Sequence, residues 1–190
     1  MQQDLNKLII LDRDGVINQD RDDYVKTVDE WVPVHGSLEA IGLLSQADYQ
    51  ISIATNQSGI TRGYYDIATL NAMHQKMRDL LKPFGGKIDS IFFCPHVDAD
   101  LCGCRKPKPG LFIDIATHYG LLKNPLDQSL IGIPVVGDTV RDLMAGVVLG
   151  AEPHLVLTGK GSTVNQSELP PNTRQHPDLL SFAKTILKTQ

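Results

Sequence analysis

Two carboxylates, Asp12 and Asp14, directly follow the apolar run Leu8-Ile9-Ile10-Leu11 and are followed at once by Gly15. Residues two apart in extended backbone point the same way, so both acids face one spot where a strand ends. Carboxylates gathered at a sheet edge repel one another unless a cation, commonly a divalent one, lies between them. Asp-x-Asp-Gly alone is equally compatible with an ordinary turn after a strand. A calcium-binding EF-hand loop is excluded, because Ile10 and Arg21 would fall at its first and last ligand positions.

Three further polar clusters lie at the end of an apolar run or beyond it: Thr55-Asn56-Gln57-Ser58-Gly59, then, past Cys94, Arg105-Lys106-Pro107-Lys108-Pro109-Gly110, and Gly137-Asp138-Thr139-Val140-Arg141-Asp142. Each is weak by itself. Together they supply carboxylates, a hydroxyl, backbone N–H groups and a fixed cation. Phosphoryl transfer needs such a set, because its catalysis is mostly positioning and charge neutralisation. Asp142, four residues after Asp138, reads as a capping or supporting group rather than a ligand.

All three cysteines fall in one short stretch, Cys94-Pro95-His96 followed by Cys102-Gly103-Cys104. With His96 they make four ligands of the type and number that a closed structural zinc site uses. Unconnected thiols beside a surface histidine are the alternative, and the clustering favours zinc. The remaining histidines are isolated, and none is assigned chemistry.

Elements must bring these clusters together. Apolar runs at Leu8–Leu11, Ile51–Thr55, Ile88–Phe93, Ile133–Val136 and His154–Thr158 predict five strands. Between them lie helical patterns: one capped by Ser37 with Leu38, Ile41 and Leu44 inward, and one capped by Asp66 with Leu70, Met73, Met77, Leu80 and Leu81 inward. Others start near Pro109 and run over Leu143–Leu149. Pro134 fits only the first position of its strand. Gly159–Gln175 reads as a long polar, mobile loop, and Leu179 to Leu187 as a short amphipathic helix docking on the body. This alternation predicts a single α/β domain over residues 1–190. It is a Rossmann-like parallel sheet with helices on both faces and no separate cap domain, carrying a zinc loop at 94–104 and a C-terminal loop and helix at 159–190.

Composition narrows the function classes. Apolar content is 42 % and charged content 21 %, with a net charge of −4. That balance argues against a nucleic-acid binder. No run approaches the roughly 18 apolar residues of a membrane span. The polar stretch Met1–Lys7 lacks a leader-like apolar region, so a cytoplasmic protein is expected.

The residues quoted above resemble, in order, the four motifs of haloacid-dehalogenase-superfamily phosphatases: Asp12-x-Asp14-Gly15, Thr55-Asn56, Lys106 and Gly137-Asp138-x-x-x-Asp142. The stretches LDRDGVIN, TNQSGITRG and CGCRKPKPG resemble the D-glycero-D-manno-heptose 1,7-bisphosphate phosphatases, with histidinol-phosphate phosphatases as near relatives. The resemblance implies a Mg²⁺-dependent phosphatase removing the 7-phosphate of a heptose bisphosphate, on the way to lipopolysaccharide or surface-glycan heptose. Asp12 would be the nucleophile forming an aspartyl-phosphate, and Asp14 the acid and base. Asp12, Asp138 and the Asp14 carbonyl would hold Mg²⁺. Thr55 and its neighbours Asn56, Gln57 and Ser58 would hold the phosphoryl oxygens. Lys106 would neutralise charge, and Arg105 would contact substrate together with the loop Asp20, Arg21, Asp22 and Asp23. Zinc at Cys94, His96, Cys102 and Cys104 would be structural. The implied partner is a small phosphorylated sugar, with neither nucleic acid nor membrane, for a monomeric protein. Thr139 stands where the family often has lysine. Arg13, Lys108 and Lys160 are candidates for a second phosphate. The rival readings are histidinol-phosphate hydrolysis and, from another class, a non-catalytic phosphoacceptor domain.

Overall fold

A computed structural model describes residues 7–188. The polar stretch at the N-terminus therefore lies, apart from Lys7, outside the described residues. Six parallel strands form one sheet in the order β3-β2-β1-β4-β5-β6. They are β1 (Leu8–Leu11), β2 (Gln50–Asn56), β3 (Ser90–Cys94), β4 (Pro134–Gly137), β5 (Glu152–Val156) and β6 (Arg174–His176). The helices are α1 (Ser37–Gln46), α2 (Ile67–Leu81), α3 (Gly110–His118), α4 (Val140–Val147) and α5 (Leu179–Lys188).

A parallel strand covered on both faces must be apolar at every position, and β1 is. Ile9 and Leu11 pack into a core that includes side chains of α1, α2 and α5, whereas Leu8 and Ile10 pack into a second core with residues of α3 and α4. The predicted sandwich of helix, sheet and helix is thus the observed one, with β1 at its centre. The segment from β1 to β2 carries α1 and short bridges such as Asn18 with Pro33, and no inserted domain. No described helix is long and apolar enough to cross a membrane.

Several boundaries differ from expectation. Gly36, in left-handed conformation, precedes α1. Ser37 does not cap it; its buried hydroxyl donates to the Ile17 carbonyl at 2.7 Å and ties the loop after β1 to the helix. Asp66 does cap α2, accepting from Thr69 N–H at 2.8 Å. Leu80, expected inward, is exposed, because Met73, Met77 and Leu81 already fill the buried stripe. Pro134 opens β4 as its missing N–H requires. β3 starts two residues later and ends one residue later than the predicted run, and β5 lies two residues earlier than predicted. The segment 159–175 is more than a polar loop: it forms two 3-10 turns, anchors Val164 and Leu169 against the core, and delivers β6 to the sheet edge. Arg-Gln-His has no apolar signature, since its pairing comes from backbone alone.

Candidate active site

All four polar clusters meet at the carboxyl edge of β1, β2 and β4, where open α/β sheets bind ligands. Asp12 continues β1, its N–H donating to the Val136 carbonyl of β4 at 2.9 Å. Asp138 follows β4, and Asp142 lies in the first turn of α4. Oxygens of these three carboxylates lie within 4.8 Å of one another. Lys106 Nζ sits among them, 2.8 Å from Asp12 Oδ1 and 2.7 Å from Asp142 Oδ1, and donates to the Ala54 carbonyl at 2.7 Å. Asn56 grips the Lys106 backbone from both sides, donating to its carbonyl and accepting from its N–H, each at 3.1 Å. The strand-end amide of β2 thereby sets where the lysine stands.

Asp138 is crowded into place. Gly15, at φ 82°, and Gly159, at φ 55°, both pass so close that a Cβ on either would overlap Asp138 Oδ2. The same oxygen accepts the Lys160 backbone N–H at 2.8 Å, and Thr158 Oγ1 donates to the Gly15 carbonyl at 2.7 Å. This clamp after β5 carries no conspicuous side chain. Its only sequence signal is the pair of glycines around Lys160.

One lysine cannot neutralise three buried acids. Burial, with Asp142 and Asp12 adding repulsion, pushes the Asp138 carboxyl up to about 8. Burial likewise raises Asp12 to about 6; Lys106 works against that rise while Asp142 and Asp14 reinforce it. Asp142 stays below its ordinary value despite burial, because Lys106 and Thr139 bond to it. Its oxygen also accepts from the Thr139 N–H and hydroxyl, making the capping box of α4. The capping role foreseen for Asp142 is therefore present, with the ion pair to Lys106 in addition. Asp12 and Asp138 remain as two hard oxygen donors with excess negative charge, a donor set that fits a small divalent cation.

Asp14 turns away from that cluster. Its carboxylate accepts from Arg13 at 2.9 and 3.0 Å, from Asn18 Nδ2 at 2.8 Å and from Gln57 Nε2 at 2.8 Å. Burial favours the neutral acid, but Arg13 and these hydrogen bonds hold it below the ordinary value. Gln57 also donates to Thr55 Oγ1 at 2.9 Å and accepts from Tyr65 at 2.6 Å. Arg13, buried, further contacts His74 Nε2 at 3.4 Å and Gln57 Oε1 at 3.1 Å. The sequence carries no signal for these roles of Tyr65 and His74: a polar group on a helix or its flank declares no partner until the fold apposes it.

The pocket holds about 210 Å³ and is bounded by Asp20, Arg21, Asp22, Thr55, Asn56, Gln57, Ser58, Arg105 and Lys106 besides the acids. Asp23 does not line it. It pairs instead with Arg21 at 3.0 Å and Lys26 at 2.7 Å. Two of the second-phosphate candidates are committed elsewhere: Arg13 to Asp14, and Lys108 to the carbonyls of Leu101 and Cys102 at 3.1 and 2.7 Å. Lys160 lines the pocket and pairs with Asp20 at 3.1 Å.

Beside the pocket, Cys94, at the end of β3, meets Cys102, Cys104 and His96. The sulfurs lie 3.0, 3.5 and 3.6 Å apart, and His96 Nδ1 is 3.6 and 3.4 Å from Cys94 and Cys104. All three thiols are free. Ligands at 2.0–2.3 Å around a tetrahedral zinc would stand about 3.5–3.8 Å from each other, so this arrangement is slightly tighter than that shell. The loop also fixes Arg105, which donates to the His96 carbonyl at 3.2 Å and pairs with Asp98 at 2.6 Å.

Comparison with known proteins agrees with this geometry. A family model described as polynucleotide kinase 3 phosphatase matches residues 1–146. The D-glycero-beta-D-manno-heptose-1,7-bisphosphate 7-phosphatase of Neisseria meningitidis is 51 % identical over 96 % of this chain and 95 % of its own. The enzyme of the same name from Pseudomonas aeruginosa is 49 % identical over 95 % of this chain and 98 % of its own. The crystal structure of the D,D-heptose 1,7-bisphosphate phosphatase of B. bronchiseptica, complexed with magnesium and phosphate, superimposes with a TM-score of 0.90 at 49 % identity, covering 97 % of this chain and 99 % of that one. The chain belongs to the haloacid-dehalogenase superfamily and, within it, to the family of D-glycero-D-manno-heptose 1,7-bisphosphate phosphatases, which are phosphoric monoester hydrolases.

Proposed function

We propose that this protein hydrolyses the 7-phosphate of D-glycero-D-manno-heptose 1,7-bisphosphate, in the making of heptose for a bacterial surface glycan. The observation that carries the chemistry is the Asp12–Lys106–Asp142 ion-pair chain beside Asp138, at 2.8 and 2.7 Å. It supports reading Asp12 as the nucleophile, Lys106 as a fixed cation and Asp138 as part of a cation site at one strand edge. A Mg²⁺ ion held by Asp12, Asp138 and the Asp14 carbonyl would supply charge neutralisation for the phosphoryl oxygens.

Asp12 attacks phosphorus as the bond to the sugar oxygen breaks, giving an aspartyl-phosphate. Asp14, which Arg13 holds ionised in this arrangement, takes up a proton from solvent and gives it to the departing oxygen, then removes one from the water that attacks phosphorus, regenerating Asp12 and releasing phosphate. Thr55 and the N–H groups after β2 orient the phosphoryl oxygens, and Lys106 balances charge on Asp12 as it reacts. Gln57 and Arg13 hold the Asp14 carboxylate where it accepts that proton. Arg105 and the loop bearing Asp20, Arg21 and Asp22 face the sugar. Zinc on the four thiol and imidazole ligands would fix the loop carrying Arg105 and Lys106.

Phosphorus NMR of the reaction distinguishes the ester cleaved. With Mg²⁺, the 7-phosphate signal should convert to inorganic phosphate while the anomeric phosphate persists. Faster release from histidinol phosphate, or loss of the anomeric phosphate instead, would overturn the assignment.

A further inference from the structure

Six basic side chains line the pocket, and five of them are already spoken for. Lys106 and Arg13 are buried against Asp12, Asp142 and Asp14. Arg105 pairs with Asp98 at 2.6 Å, Arg21 with Asp23 at 3.0 Å, and Lys160 with Asp20 at 3.1 Å. Arg141 is the sixth. It is exposed at the pocket wall, and among the described residues it makes no ion pair or hydrogen bond. Its charge reaches Asp142 and Asp98 only at longer range, helping to keep both ionised.

Local stability does not account for an arginine here. Arg141 is the second residue of α4, and a cation in the first turn of a helix opposes the helix dipole. An anion in front of it would instead feel the guanidinium and the helix end together. Thr139, the residue just before α4, cannot take that part. Its hydroxyl is turned inward onto Asp142 as the helix cap.

A substrate with two phosphates brings a second dianion into this pocket. One end must sit against Asp12 and Lys106, both deep. The other must meet a cation nearer the rim. Drawing Arg105, Arg21 or Lys160 toward it would strip Asp98, Asp23 or Asp20 of its partner. Arg141 can turn to it without leaving any carboxylate unpaired, and its planar fork matches phosphate oxygens. We propose that Arg141 binds the phosphate that is not cleaved and sets the preference for a sugar bisphosphate over a monophosphate; this rests on the sugar-bisphosphate reading above.

The test compares kcat/KM for the heptose 1,7-bisphosphate and for the corresponding heptose 7-phosphate, in the wild type and in Arg141→Ala, Arg141→Lys and Arg141→Glu. A lost charge-assisted hydrogen bond predicts that the bisphosphate-to-monophosphate ratio falls about 10- to 100-fold in Arg141→Ala, mainly through KM. Arg141→Lys should keep part of the preference, and Arg141→Glu should lose more than the alanine variant. Equal losses on both substrates would mean general charge steering or disturbance of Asp142, and would overturn the assignment. So would a wild-type preference that survives in all three variants. A wild type that does not prefer the bisphosphate overturns both this assignment and the reading beneath it.

Discussion

Among the described residues two clusters could hold a metal, and they are built in opposite ways. The carboxylate cluster draws Asp12, Asp138 and Asp142 from the ends of two central strands and the helix that follows one of them. The thiol cluster draws Cys94, His96, Cys102 and Cys104 from one strand end and one loop. The first offers hard oxygens around a buried lysine, and leaves a face open to the pocket. The second offers soft sulfurs and an imidazole with every ligand position taken by protein, the mark of a structural site. The cluster proposed for chemistry is assembled across strands distant in sequence and keeps an open side. A cluster meant for support can be local and closed.

Breaking the carboxylate cluster should have the largest effect. Asp12→Asn keeps the shape but removes the proposed nucleophile and half of the ion pair with Lys106, so kcat should fall by about a thousandfold or more, with circular dichroism unchanged. Substantial residual turnover would show that another group attacks phosphorus. Next in size is removal of the cation: dialysis against chelator should silence the enzyme, and Mg²⁺ alone should restore it. Activity indifferent to chelator would separate the carboxylates from any metal role.

Breaking the thiol cluster should cost stability before chemistry. Elemental analysis should find about one zinc per chain and none in a Cys102→Ser, Cys104→Ser double variant, whose melting temperature should fall well below that of the wild type. Turnover should decline with it, because Arg105 and Lys106 follow the loop directly. A zinc-free wild type of full stability would contradict the reading.

A subtler perturbation sharpens the comparison. Gly159→Ala should raise the Mg²⁺ concentration needed for half activity, since a Cβ there meets Asp138 Oδ2; an unchanged Mg²⁺ requirement would show that the clamp on Asp138 is dispensable.

The smallest effect lies away from both clusters. His154 is fully buried, with Nδ1 2.9 Å from His176 Nε2, and burial holds it down at about 3. Its folded-state value lies below the unfolded one, so its contribution is complete above about pH 6.5 and shrinks as pH falls toward 3. One such group should account for about 2 kcal/mol of stability lost between pH 6.5 and 5. The pH dependence of unfolding by urea should therefore be shallower in His154→Gln than in the wild type; identical slopes would mean that His154 takes up its proton in the folded state.

How much of this was legible in the sequence depended on what each feature is made of. The strands at the centre announce themselves because burial on both faces demands unbroken apolar runs, as in Leu8–Leu11. β6 does not, because an edge strand can pair through backbone with Arg-Gln-His. Asp12, Thr55 and Asp138 are legible because each closes or follows an apolar run, and Lys106 because it lies in the basic Arg-Lys-Pro-Lys stretch beyond the third run; the four do converge. Their supports are not legible. Gln57 as the link between Asp14 and Tyr65, His74 behind Arg13, and the Lys160 N–H on Asp138 depend on which segments the fold apposes. The resemblance implies sugar contacts for the whole loop Asp20–Asp23, but the loop turns the Asp23 side chain onto Arg21 and Lys26 instead. Arg141 is one charge among many in the sequence, because only the ion pairs of the other five pocket cations single it out.

In the proposed mechanism an Asp12 carboxylate oxygen forms the bond to phosphorus. Enzyme mixed with substrate and Mg²⁺, quenched within one turnover and reduced with borohydride, should yield homoserine at position 12 by peptide mass spectrometry. No such residue should form without substrate. Turnover that continues with position 12 unmodified, or with the label on another side chain, would contradict the central claim.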